Sequence, residues 1–343
     1  MKTRKVWPDI LRIISIFLVM YTHTGLNAMY LYTETSGVAH WVSFCLKALV
    51  QIGPMMFFMI SGSLLLQKEE DIKTLFFHRI LRIVAVIVVF SLFQRFYWAA
   101  TSGALDQFSI LGSLKDMYSV AVITQYWFLY AYLGMLIMLP FLRLIAKNID
   151  EKGALYLLIL VLVFKEIIPV FEIIADPGAL NISLAILDKA ILWPLLGYCI
   201  EYPLASVFSV RRNRVIAYLT ALILFLIDIV YTHHTYVNTG YCEDIEGTWV
   251  ALSLAVFVLV RRLSEGHEFK EGTKRLLKIA SEGVFFVFLT EPQLRGLFEF
   301  VYTGLSPYIT WFFATLIWLF VSVSVGMIVA FLLHLIPGVK KFV

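Results

Sequence analysis

Apolar stretches long enough to cross a bilayer recur along this entire 343-residue chain, and no other feature narrows its folding choices as far. A hydrocarbon layer ~30 Å thick takes roughly 20 helical residues to cross. Runs of that order are read at 9–29, 42–66, 79–98, 121–142, 154–174, 183–201, 213–231, 247–262, 279–299 and 307–335, the eighth short and the fifth interrupted by Pro169. In lipid a backbone must satisfy its own hydrogen bonds, so runs of this kind are expected to be helices. The expected fold is an all-α polytopic membrane bundle of about ten transmembrane helices. Composition agrees: 15% of residues are charged, against about a quarter in an ordinary soluble domain. The basic opening Met1 to Lys5 precedes an apolar run as a signal peptide would, but no small-residue cleavage site follows, so a retained first helix is expected.

Charge outside the runs tests this map, because cytoplasmic loops collect Lys and Arg. Twenty of them fall in alternate loops: Lys2, Arg4, Lys5; Lys68, Lys73, Arg79; Arg143, Lys147, Lys152; Arg211, Arg212, Arg214; Arg261, Arg262, Lys270, Lys274, Arg275, Lys278; Lys340 and Lys341. The opposite loops offer Lys115 and Arg295, and gather Glu34, Glu172, Asp176, Glu243, Asp244 and Glu246. Both termini are therefore expected in the cytoplasm. No loop is long enough to be a domain, so residues 1–343 are expected to form one membrane-embedded unit with no separate soluble part. A net charge of +4 spread in short clusters speaks against nucleic-acid binding. Three cysteines, two of them within apolar runs, make no disulfide framework.

Charged groups inside a span are costly and mark a polar interior. In the first run Asp9 and Arg12 are three residues apart, on one helix face where they are expected to neutralise each other. His23 lies eleven residues beyond Arg12, close to three turns and about 16 Å along the same stripe. Thr22, Thr24 and Asn27 surround it, so a single polar cavity from Arg12 to His23 is expected. Two plainer readings stay open: Arg12 snorkelling to the interface, and His23 as a hydrogen-bonded core histidine. The segment from Gln51 to Gly62 holds small residues and Pro54 that permit close helix approach. Arg79 and Arg82, three apart at the start of the third run, serve equally as topological anchors or as paired guanidinium forks for phosphate.

Asp9-Ile10-Leu11-Arg12 with His23, then Pro54-Met55-Met56-Phe57-Phe58-Met59-Ile60-Ser61-Gly62, then Phe77-His78-Arg79-Ile80-Leu81-Arg82, resembles the acyltransferase 3 family of transmembrane O-acyltransferases. Trp127-Phe128-Leu129-Tyr130, with Pro140 later in that run, resembles the family's fourth span, and beyond it the likeness rests on hydropathy and helix count. The resemblance implies transfer of an acyl group, commonly acetyl, from cytoplasmic acyl-coenzyme A to a hydroxyl of a glycan, a lipid-linked sugar or a similar acceptor. It implies that Arg12 and His23 are the essential first-helix pair, and that Arg79 and Arg82 are the basic cytoplasmic motif. One departure stands out: where the family often has histidine before proline near the ninth span, this chain has Glu291-Pro292. Glu291 is read either as an acceptor for a substrate hydroxyl or as the partner of Arg295.

The expected catalytic group is His23 as base, with Arg12 and Asp9; Arg79 and Arg82 are expected at the coenzyme A phosphates, and Asn27, Trp127 and Glu291 at the acceptor. Acyl-coenzyme A is the expected donor, with no metal. The expected partners are the acyl donor, a glycan or lipid-linked acceptor and membrane lipids, in a bacterial inner or plasma membrane; a homo-oligomer is left open. The rival reading is a small-molecule transporter, for which Lys165, Glu166, Asp188, Lys189 and Asp228 supply intramembrane charge.

Overall fold

The structure is a computed structural model that describes residues 4–119, 121–168, 170, 189–240, 242 and 248–336. Pro169, Asp188, Glu172, Asp176, Glu243, Asp244, Glu246, Lys2, Lys340, Lys341 and the side chain of Lys189 lie outside the description. Every regular element among the described residues is helical. Helix α1 covers Trp7–Thr22, α2 Gly37–Val50 and α3 Ile52–Leu65. Helix α4 covers Ile72–Thr101 and contains a π-helical turn at Phe76–Ile80. Then follow α5 at Ile110–Ser119, α6 at Trp127–Asn148 and α7 at Glu151–Leu162, which runs into a second π turn at Val163–Ile167. Next are α8 at Lys189–Glu201, α9 at Ala205–Ser209, α10 at Arg211–Thr239 and α11 at Thr248–Glu265. Helices α12 at Glu271–Leu289, α13 at Glu291–Leu297, α14 at Glu299–Leu305 and α15 at Trp311–His334 complete the order.

Five stretches among the described residues are long and apolar enough to cross a membrane: Gly37–Leu65, Ile72–Thr101, Thr124–Asn148, Arg211–Thr239 and Trp311–His334. Of the other expected spans, 247–262 is the helix α11, and those at 154–174 and 183–201 lie partly outside the described residues. The run 9–29 ends as a helix at Thr22 and continues in short 3-10 turns. The run 42–66 is two helices that meet at Gln51. The run 279–299 breaks at Thr290 between α12 and α13, where Pro292 is accommodated at the helix start because its missing N–H has no intrahelical partner there. The outer surface is richly apolar, with Phe96, Leu222, Ile223, Phe313 and Phe320 more than half or nearly half exposed as a lipid-facing surface requires.

Contacts between loops sort them into two ends. Lys5 pairs with Glu201, Arg261 reaches the same carboxylate, Ser206 donates to Glu151, and Arg143 donates to Glu70. At the other end Asn27 donates to Glu299 and Arg95 pairs with Asp116. The first group joins the basic loops of the sequence map, so alternation of charge and alternation of position coincide.

Helix α1 is the hub, packed on α2, α3, α11, α12 and α15, with Leu11, Ile16 and Met20 fully buried. The tightest crossing is α3 on α8. A Cβ on Gly62 would fall on the backbone of Pro194, and one on Gly197 on the backbone of Met59, so each glycine admits the other helix's main chain. Gly62→Ala or Gly197→Ala is expected to lower the thermal midpoint of the detergent-solubilised protein, by an overpacking cost of about 1–3 kcal/mol. Gly134→Ala, where an added Cβ meets nothing, is the control, and equal midpoints for all three would contradict the crossing.

Candidate active site

Three departures from regular helix line one small cavity, and a fourth stands beside it. His23 caps the C-terminus of α1, Gln51 joins α2 to α3, Gln125 lies in the 3-10 turn before α6, and Thr290 separates α12 from α13. His23, Gln51 and Gln125 line a cavity of about 90 Å³ together with Thr22, Pro54 and Trp127. The break at Thr290 frees the carbonyl of Leu289, which accepts from the Tyr126 hydroxyl at 2.8 Å and from Gln94 Nε2 at 3.2 Å. Non-helical backbone at membrane depth is tolerated where protein groups re-satisfy it in this way.

Beyond the break, Glu291 is fully buried. Its Oε1 accepts from Arg295 Nε at 2.7 Å, one turn along α13, and its Oε2 accepts from Gln125 at 3.4 Å. His23 Nδ1 is 3.5 Å from that same Oε2, an electrostatic contact whose alignment is not that of a hydrogen bond. Of the two sequence readings of Glu291, the pairing with Arg295 is present; Glu291 lines neither cavity and faces His23 instead.

A larger cavity of about 360 Å³ opens on the basic side, lined by Arg12, Arg79, Arg82, His78, Ser61 and Glu282 among others. His78 and Arg79 are carried by the π turn Phe76–Ile80, where one extra residue per turn re-aims side chains and such bulges mark functional sites. Arg79 Nε donates to both oxygens of Glu70, at 3.0 and 2.9 Å, and Arg143 donates to the same carboxylate at 3.0 Å. Burial pulls Glu70 upward, yet the bonds from Arg79 and Arg143 prevail and hold its carboxyl below the usual range. A depressed carboxyl contributes stability above its unfolded pKa and loses it only as the pH falls through its folded pKa, so this anchor is intact at neutral pH. Arg82 has no carboxylate partner among the described residues.

Arg12 and His23 line two different cavities rather than the expected single one, and Phe57, Phe128 and Phe288 line both, where the two adjoin. Spacing along one helix places two groups on a stripe, but it does not reveal what α3, α6 and α12 insert between them. The expected pairing of Arg12 with Asp9 is present, and Arg4 shares the buried carboxylate more closely, its Nη2 reaching both oxygens at 2.9 and 2.8 Å. Arg12 Nη1 stands 3.5 Å from Asp9 Oδ1 and 3.3 Å from Ser281 Oγ, which leaves its guanidinium facing the basic cavity. Asp9 lines neither cavity, and neither does Asn27, which holds Glu299 at 2.9 Å instead.

Trp127 does line the small cavity. Sequence reasoning missed Gln125 and the phenylalanine partition. Both belong to stretches whose apolar or aromatic character looked like ordinary core. Lys165, Glu166 and Asp228 line neither cavity. Glu166 is fully buried, in the second π turn, and accepts from the backbone N–H of Ala251 at 2.5 Å, so it satisfies an orphan donor in the first turn of α11.

The acyltransferase 3 family model, described as an acyltransferase domain, matches residues 5–335. The chain belongs to that family and is a membrane acyltransferase, one that moves groups other than aminoacyl groups. No curated protein and no solved structure matches it.

Removing Glu291 leaves the partly buried Arg295 without that counter-charge, at a cost below the ~3–5 kcal/mol of breaking a fully buried pair. Glu291→Leu is expected to lower the thermal midpoint strongly, and Glu291→Leu combined with Arg295→Met to restore part of it. Additive losses in that double-mutant cycle would mean that the two groups do not interact.

Proposed function

We propose that this acyltransferase takes an acyl group, acetyl in the simplest case, from acyl-coenzyme A on the basic side of the membrane. It hands the group to a hydroxyl of a cell-envelope sugar, a lipid-linked glycan or a similar acceptor on the other side. In this reading the chain is one unit of ten spans in a bacterial inner or plasma membrane, with the basic end and both termini in the cytoplasm. The single observation that carries it is the placement of a three-arginine cavity one aromatic layer away from an imidazole beside a buried carboxylate.

Arg12, Arg79 and Arg82 bind the phosphates of the donor, since guanidinium forks grip phosphate oxygens bidentately and only Glu282 among the cavity-lining residues opposes them with negative charge. Arg82, with no carboxylate partner among the described residues, contributes most. At the other cavity Glu291 faces His23 Nδ1, which leaves Nε2 to act as the base. His23 accepts the proton of the acceptor hydroxyl as its oxygen attacks the thioester carbonyl carbon. The carbon–sulfur bond breaks, and the proton passes to the departing thiolate. The products are the ester and free coenzyme A. Gln51, whose side chain lines this cavity, offers an amide donor to the developing oxyanion.

His23→Ala is expected to reduce transfer to background, in an assay that follows thioester cleavage of labelled acetyl-coenzyme A with a panel of envelope sugars. Wild-type turnover by that variant, eluting as folded protein, would refute the assignment of the base. Arg82→Ala is expected to raise KM for the acyl donor by roughly ten- to a hundredfold, the loss of a charge-assisted hydrogen bond worth about 1.5–3 kcal/mol, with kcat little changed. An unaltered KM would reduce Arg82 to a topological anchor.

A further inference from the structure

The partition between the two cavities has the properties of a donor filter, an inference that rests on the acyl-transfer reading above. Phe57 comes from α3, Phe128 from α6 and Phe288 from α12, and the same three rings face both cavities. They interlock: Phe57 meets Phe128 edge-on at 5.9 Å, and Phe128 meets Phe288 edge-on at 5.4 Å. Phe128 is further held by Phe58 at 4.9 Å and by Tyr132, stacked at 6.0 Å. Rings pinned by neighbours on several helices do not yield freely, because packed interiors transmit displacement rather than absorb it.

The thioester sulfur must remain toward the basic cavity, where the arginines hold the rest of the donor, while the carbonyl carbon must come within reach of His23. The thioester therefore lies across the three rings. Whatever extends beyond the carbonyl has to fit in about 90 Å³, against about 360 Å³ on the donor side, and share that space with the acceptor hydroxyl. Val19, Pro54 and Trp127 line the rest of the small cavity.

We infer that Phe57, Phe128 and Phe288 restrict the donor to short acyl groups, acetyl and its nearest homologues, by bounding the space left for the acyl tail beside His23. An extra methylene at the edge of an apolar pocket changes discrimination by roughly 10- to 200-fold, so the restriction is steep.

The test uses the full-length protein in nanodiscs, with acetyl-, butanoyl- and octanoyl-coenzyme A as donors and hexose and N-acetylhexosamine glycosides as acceptors, and measures kcat/KM for release of free coenzyme A. The unmutated protein is expected to prefer acetyl over butanoyl by at least roughly tenfold, in line with the methylene effect. Phe57→Ala and Phe288→Leu are expected to shrink that ratio by a similar factor, and Phe57→Trp to enlarge it. Phe57→Leu, which keeps an apolar side chain of similar reach, serves if the alanine variant does not elute as folded protein, and a smaller shrinkage is expected of it. Donor turnover with a flat length profile in the unmutated protein, or an unshifted ratio in folded variants, would overturn the filter alone. No turnover of any donor by the unmutated protein would overturn the acyl-transfer reading and the filter with it.

Discussion

A peptide group that leaves the helix inside a bilayer has no water to turn to, so the protein itself must supply its hydrogen bonds or a wet cavity to receive it. Here the end of α1 at His23, the joint at Gln51, the turn at Gln125 and the break at Thr290 gather at one place. The carbonyl freed at Leu289 is taken up by Tyr126 and Gln94, and the chain resumes at Glu291, whose carboxylate is neutralised by Arg295. The polar site exists because these interruptions coincide. Straight helices of the same composition would have turned the same side chains along separate stripes.

Electrostatics divides the molecule into two chemically different chambers. On the basic side Glu70 draws Arg79 and Arg143 together through a shared carboxylate, and this fixes the mouth of the larger cavity. Arg12 is spared from full pairing because Arg4 satisfies Asp9. Across the aromatic layer the charges are few and close-coupled, as a desolvated site demands. The proposed function asks for the same division, phosphate-binding cations on one side and a proton-accepting group on the other.

Packing explains how the rings shared by the two cavities are held. The phenylalanines of the partition are delivered by α3, α6 and α12, and α3 is in turn locked on α8 through Gly62 and Gly197. The glycine crossing lies one turn beyond Phe57 and Phe58 on the same helix, so the approach of α3 to α8 sets how far those rings reach into the bundle.

Much of this was legible in the residues. Apolar runs and the alternation of basic loops called for a helical membrane bundle, because lipid imposes length and charge rules that act locally along the chain. The motifs around Arg12, His23, Arg79 and Arg82 pointed to the family whose model matches the chain, and Glu291 was singled out by its place before Pro292. What tertiary structure alone decided is which of these groups meet. His23 faces Glu291 across 268 positions of sequence, an encounter no periodicity encodes. Asp9 takes Arg4 as well as Arg12, the arginine one helical turn away, since the reach of that second cation depends on where the chain preceding α1 is held. The wall of phenylalanines followed from three helices closing on one point, whereas each ring read alone looked like core.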